Sequence, residues 1–183
     1  DIKKIQEAHP DMQLEVFVHG ALCYSFSGLC LASALLCGRS GNRGDCAQIC
    51  RNSYHSDDEK GCYFSCNDLC LGEEVLKLKD IGVSALKIEG RMKSPEYVFN
   101  TVVMYADILS GGSSIERAAE LKRASRLSFG REETKGYFYS RSGEHLIDSQ
   151  YAMHRGVLLG TVISTTKNTF TIKVKHRLHE RDG

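Results

Sequence analysis

The sequence predicts an α/β fold followed by a small all-β module. Three observations predict it. Two short runs, "LEVFVHG" and "VSALKIEGR", are rich in strand formers and carry apolar residues on both faces, as strands of a doubly covered parallel sheet do. A helical pattern follows each of them. Beyond about Leu127 helical spacing gives way to short strand-like runs. The order strand, helix, strand, helix, helix and then all-β assigns residues 1–126 to βα units and residues 127–183 to a small, basic and incomplete β domain.

Each element has its own warrant. Residues 1–11 read as the end of a helix stopped at Pro10. In the first strand, alternation sets Glu15, Phe17 and His19 on one face and Val16, Val18 and Gly20 on the other. "GRSGNRG" (residues 38–44) is a loop by composition, and "RNSYHSDDEKG" (residues 51–61) an exposed turn or linker. Asp68 is placed to cap a helix through "LCLGEEVLKLKDIG", with Leu69, Val75, Leu76 and Ile81 on one side. The second strand puts Lys87, Glu89 and Arg91 on one face. Ser94 and Pro95 start the next helix, which stops at Gly111-Gly112. "SIERAAELKRAS" is a further helix. "KGYFYSR", "RGVLLGTVIS" and "FTIKVKH" are strands, with a turn at Lys167-Asn168.

Composition bounds the classes. The 183 residues are 42% hydrophobic, enough for a real core and too many for a disordered chain. No apolar run reaches the length of a membrane span, and no secretory leader is visible. The chain opens at Asp1 without a methionine, as an excised or processed piece would. Residues 1–120 hold 12 basic and 17 acidic side chains, a net −5, and residues 121–183 hold 12 and 6, a net +6. A basic end suggests a polyanion surface; on charge alone, an ordinary solvated face is favoured.

All eight cysteines lie between Cys23 and Cys70. Disulfide scaffolds are usually small and poor in core, so reduced thiols serving a metal or cluster come first. Cys23 and Cys30 have six residues between them, and Cys46 and Cys50 have three. Gly28, Gly38, Gly41 and Gly44 lie among them and let backbone approach a bulky group. Four thiolates on two such segments suit a [4Fe–4S] cluster, with zinc as the alternative. Cys62, Cys66 and Cys70 recur every four residues and would share a helix face; small buried residues are preferred to a second ligand set. Cys37 reads as structural.

Ligands gather at the C-terminal ends of parallel strands. His19, Gly20 and Cys23 mark one such end, and Glu89, Gly90 and Arg91 another. There is no HExxH, GxSxG or P-loop. A cysteine nucleophile with His19 as base remains open, ranked below a cluster role for Cys23.

The stretch "EVFVHGALCYSFSGLCLAS" closely resembles the signature of the collagenase-like peptidase family of unknown catalytic type, numbered thirty-two. Glu15, Phe17, Gly20, Ala21, Leu22, Cys23, Gly28, Cys30 and Ser33 match, and Ala32 is smaller than the usual aliphatic. "GRSGNRGDCAQICR", "LKIEGRMKSPEYV", "KGYF" and "HRGVLLGTV" resemble later blocks of that family. The resemblance implies the C-terminal part of a TIM-like (β/α) barrel followed by a small β-barrel-like domain. A full barrel takes about 250 residues and eight strands; two barrel-type strands are counted here, so a missing N-terminal half or a partner chain would complete it. It implies a cytoplasmic, oxygen-independent hydroxylase acting on a pyrimidine of ribosomal or transfer RNA. Cys23, Cys30, Cys46 and Cys50 would hold a [4Fe–4S] cluster, and prephenate would be co-substrate. His19, Glu89 and Arg91 would position substrate or move protons, and Arg39, Arg43 and Lys93 would meet phosphates. A protease of collagen-like chains and a noncatalytic zinc-stapled interaction module are the alternatives.

Overall fold

The computed structural model describes residues 1–112, 114–175 and 177–178. Helix α1 (Ile2–Ala8) leads into strand β1 (Glu15–Ala21), as the sequence predicts. Then come α2 (Ala32–Cys37), short 3₁₀ turns at Gly41–Arg43 and Ile49–Arg51, and a hairpin of β2 (Tyr54–Ser56) and β3 (Glu59–Gly61). Strand β4 (Asp68–Cys70), helix α3 (Val75–Ile81) and strand β5 (Ala85–Glu89) follow. Helices α4 (Pro95–Leu109) and α5 (Ile115–Ser128), strand β6 (Glu133–Thr134) and the hairpin β7 (Gly160–Thr165) and β8 (Phe170–Val174) complete the order.

The main sheet has the order β5-β1-β4-β6. β5 runs parallel to β1, β4 runs antiparallel to β1, and β6 is parallel to β4. The described residues therefore form an open mixed sheet, not an all-parallel one, and no closed barrel. The sheet is also not covered evenly. Val18 and His19 are buried, whereas Glu15 and Phe17 are exposed and Lys87 pairs with Glu15 at 2.8 Å on the open side. Gly20 is required where it stands. Its φ is +109°, and a Cβ there would collide with the carbonyl of Glu89 on the neighbouring strand.

Several expectations fail locally. Asp68 caps no helix: it opens β4, whose three residues are all buried, and α3 starts only at Val75. Capping chemistry is a local preference, and the pairing of Asp68 with Ala21 and Glu133 overrides it. Cys62, Cys66 and Cys70 consequently share no helix; Cys66 sits in an isolated bridge to Ile147 and Cys70 in β4. "KGYFYSR" is mostly turn, with one bridge between Gly136 and Glu144, and in "RGVLLGTVIS" the strand begins only at Gly160. The stretch read as an exposed turn or linker holds a short hairpin, turning at Asp57 with φ 52°.

Helices α4 and α5 behave as read. Ser94 accepts a hydrogen bond from the Tyr97 amide at 3.2 Å, with Pro95 in the first turn of α4. Tyr97, Thr101, Met104 and Tyr105 form its buried stripe. The Thr101 and Ser125 hydroxyls meet at 2.9 Å between α4 and α5. Ser114 caps α5 through the Arg117 amide at 3.1 Å. The core joins Val18 and Leu69 of the sheet to Leu71, Val75, Leu78, Met104, Tyr105 and Leu121. The boundary at residues 126/127 falls inside α5, and β6 beyond it pairs with β4. Lys167-Asn168 lies in the bend between β7 and β8, as expected. His176, the last residue of "FTIKVKH", lies outside the described residues.

Candidate functional site

The four nominated thiols lie on the chain that leaves β1. Cys23 is exposed, and Cys30, Cys46 and Cys50 are half-buried; all eight cysteines are free. Cys46 has the most developed surroundings. Its Sγ accepts the Gln48 amide at 3.3 Å and lies 3.7 Å from the Ser33 hydroxyl. Ser33 is 2% exposed, and its hydroxyl accepts the Ala47 amide at 3.1 Å, which ties the start of α2 to the Cys46 loop. Donors aimed at sulfur stabilise a thiolate and tune a bound cluster. Burial pushes the Cys50 thiol up, Arg51 pulls it down, and Cys46 and Cys23 add to the rise. Cys23, Cys46 and Cys50 thus share one electrostatic neighbourhood. Cys66 belongs to it as well: burial raises its thiol, Arg51 opposes, and Cys50 and Cys23 contribute.

Arg91 joins this segment to the end of β5. Its guanidinium packs over Gly44, where a Cβ would collide with it, and its amide donates to the Glu89 carboxylate at 2.9 Å. The second strand end and the glycine-rich cysteine segment are therefore in contact. Arg39 is committed elsewhere: its Nε and Nη2 both donate to Asp45 Oδ1, at 2.9 and 2.7 Å. That hydrogen bond raises Arg39 and lowers Asp45 from their ordinary values. Arg43 is exposed beside them.

His19 is not at an open mouth. It is 7% exposed, its ring between Tyr97 and Tyr105 with centroids 5.9 and 5.6 Å away. The Tyr105 hydroxyl donates to the Val18 carbonyl at 2.9 Å and accepts the Gly72 amide at 3.2 Å. It therefore accepts from His19 Nδ1, 3.2 Å away, which assigns the ring proton to that nitrogen. Burial pulls the imidazole down to about 4, against the raising influence of Glu133 and Asp68. Its burial and weakened basicity set this imidazole apart from the exposed Cys23 thiol. With Asp68, Tyr97, Phe129 and Arg131 it lines a cavity of about 10 Å³, the space of a single water.

Lys93 is half-buried, with its Nζ 2.8 Å from the Phe129 ring centroid and 5.5 Å from that of Tyr97. Burial lowers its ammonium to about 7, with Asp68 opposing and Arg131 and Arg51 assisting. Only part of the population is charged at neutral pH, so it is a poor phosphate clamp. Competitive trace acetylation read by mass spectrometry should titrate Lys93 near pH 7 and label it ahead of surface lysines at pH 8. Labelling that rises only above pH 9 would contradict this burial.

Sequence reasoning missed Arg51, Asp68, Arg131 and Ser33. Asp68 and Arg131 form a buried pair at 2.8 Å, 63 residues apart in the chain. Nothing local announces it. Ser33 was visible only as a matching position in the resembled signature. Among the described residues no group of three or more His, Cys, Asp or Glu side chains is drawn together to hold a single metal ion. None of the helices among the described residues is long and apolar enough to cross a membrane.

Known proteins resemble this sequence. It is 33% identical to the 23S rRNA 5-hydroxycytidine C2501 synthase of Escherichia coli over 100% of the chain and 30% of that relative. It is 27% identical to tRNA hydroxylation protein P1 of Bacillus subtilis over 100% of the chain and 48% of the relative. A collagenase of Porphyromonas gingivalis is 39% identical over 56% of the chain and 30% of the relative. The chain thus spans less than half the length of each of these relatives. No solved structure matches. The sequence pattern of peptidase family U32 covers residues 1–148, and the chain belongs to that family.

Proposed function

We propose that this chain is the thiol-bearing part of an RNA hydroxylase, and that Cys23, Cys30, Cys46 and Cys50 hold a [4Fe–4S] cluster for oxygen-independent hydroxylation of a pyrimidine. The observation that carries the RNA reading is similarity along the whole chain to two proteins named for hydroxylating ribosomal or transfer RNA. The donor chemistry suits a cluster. Three of the four thiols share one neighbourhood, and Cys46 already receives an amide donor. When bound, the cluster would supply electron transfer, with prephenate as the co-substrate the resemblance implies.

The protein's own residues have separable roles. Ser33 and the Gln48 amide steady Cys46. Arg91 and Glu89 hold the end of β5 against the cysteine segment. Arg43 and the basic residues beyond position 120 offer charge to phosphate. His19 keeps a neutral, hydrogen-bonded interior.

The experiment is anaerobic purification followed by iron and sulfide analysis. About four of each per chain are expected. Cys46→Ala should lose nearly all of the iron and, in the whole protein, the modified nucleoside measured by RNA mass spectrometry. Colourless protein that stays colourless on anaerobic reconstitution would overturn the reading, and stoichiometric zinc would favour the stapled module. The collagenase relative supports a second reading, peptide cleavage. It predicts proteolysis that survives iron chelation.

A further inference from the structure

Arg51 is a buried cation held without a carboxylate. It is 8% exposed and follows Cys50 directly at the end of the Ile49–Arg51 turn. Its Nη2 donates to the Leu22 carbonyl at 3.0 Å, next to Cys23. Its Nη1 donates to the Ser65 hydroxyl at 3.1 Å and to the Cys66 carbonyl. One guanidinium therefore joins three cysteine-bearing segments: the exit of β1, the Cys50 turn and the bridge strand at Cys66. These acceptors are neutral. Arg131, also buried, adds repulsion, and Asp68, whose attraction eases it, is already hydrogen-bonded to Arg131.

A buried cation needs negative charge close by. The anionic cluster proposed above would supply it, beside Cys50, which Arg51 follows directly in the chain. We infer that Arg51 is the positioning residue of the thiol site: its fork fixes the spacing of the cysteine segments, and its fixed charge balances the anionic cluster they bind. This rests on the cluster reading above. A lysine could supply the charge but not the fork, because an ammonium is a point donor. A fixed positive charge favours the more negative, reduced cluster and so raises its reduction potential.

The test uses the full chain, reconstituted without oxygen, with Arg51→Lys and Arg51→Gln beside the parent. Three readouts are taken: circular dichroism for folding, iron per chain during dilution, and midpoint potential by dye titration. Arg51→Gln should retain cluster about tenfold less well and titrate at a more negative potential. Arg51→Lys should keep a potential near that of the parent while losing retention. A folded Arg51→Gln with the parent's retention and potential overturns the inference. Should Arg51→Gln fail to fold, Arg51→Lys decides: retention equal to the parent's overturns the fork, and reduced retention at an unchanged potential upholds it. A parent that takes up no iron is a different failure; it defeats the cluster reading and this inference with it.

Discussion

Asp68→Ala should destabilise the protein by about 3–5 kcal/mol, measured by urea unfolding at neutral pH. Asp68 and Arg131 are 6% and 5% exposed, joined from Arg131 Nε and Nη2 to one carboxylate oxygen at 2.9 and 2.8 Å. Removing the acid leaves a guanidinium buried with, among the described residues, the Ala152 carbonyl at 3.5 Å and the Phe129 ring 5.0 Å away. It also removes the charge that offsets crowding among Arg131, Arg51 and Lys93. The penalty is that of an orphaned charge, not the net worth of the pair. Asp68→Leu combined with Arg131→Met should therefore recover much of the loss, because an apolar replacement leaves nothing to solvate. A double variant as unstable as Asp68→Ala would show that the pair matters for shape rather than charge.

Acid should weaken the fold through His19. The unfolded chain binds a proton at this imidazole near pH 6.5, whereas the folded chain refuses it until about 4. Between those values the unfolded state holds more protons, so stability falls as pH falls. Each tenfold difference in proton affinity is worth about 1.4 kcal/mol, which makes the loss about 3 kcal/mol from pH 7 to pH 4. His19→Asn keeps a side-chain amide able to donate to Tyr105 and removes the titration. Its unfolding free energy, followed from pH 7 to pH 4, should fall by about 3 kcal/mol less than the parent's. Parallel curves would mean that the folded imidazole titrates normally.

Short-range signals were legible. The β1 and β5 runs, the Ser94-Pro95 start, the Gly111-Gly112 stop and the Lys167-Asn168 bend each depend on neighbours a few positions away, and each lies where it was read. β4 was not legible because "NDLC" carries a helix-start signal, while its strand pairing comes from Ala21 and Glu133. The second face of β1 was misread for a related reason. Phe17 looks like a core residue in the sequence, yet it is 47% exposed, with the Lys87 ammonium 5.1 Å from its ring centre. At the site, glycine-rich spacing singled out the segment that Arg91 meets at Gly44. Arg51 could not, since its acceptors lie 14, 15 and 29 residues away. His19 was placed at the right strand end but on the interior side, where Tyr97 and Tyr105 close over it.

The fork of Arg51 also sets an order of events during translation. A ribosome delivers Leu22 and then Arg51 well before Ser65 and Cys66, so the nascent polypeptide can tie only half of the knot at first. Until residue 66 emerges, the early cysteines hang on an unfinished tether. The link among the three segments is thus closed only once residue 66 has left the exit tunnel.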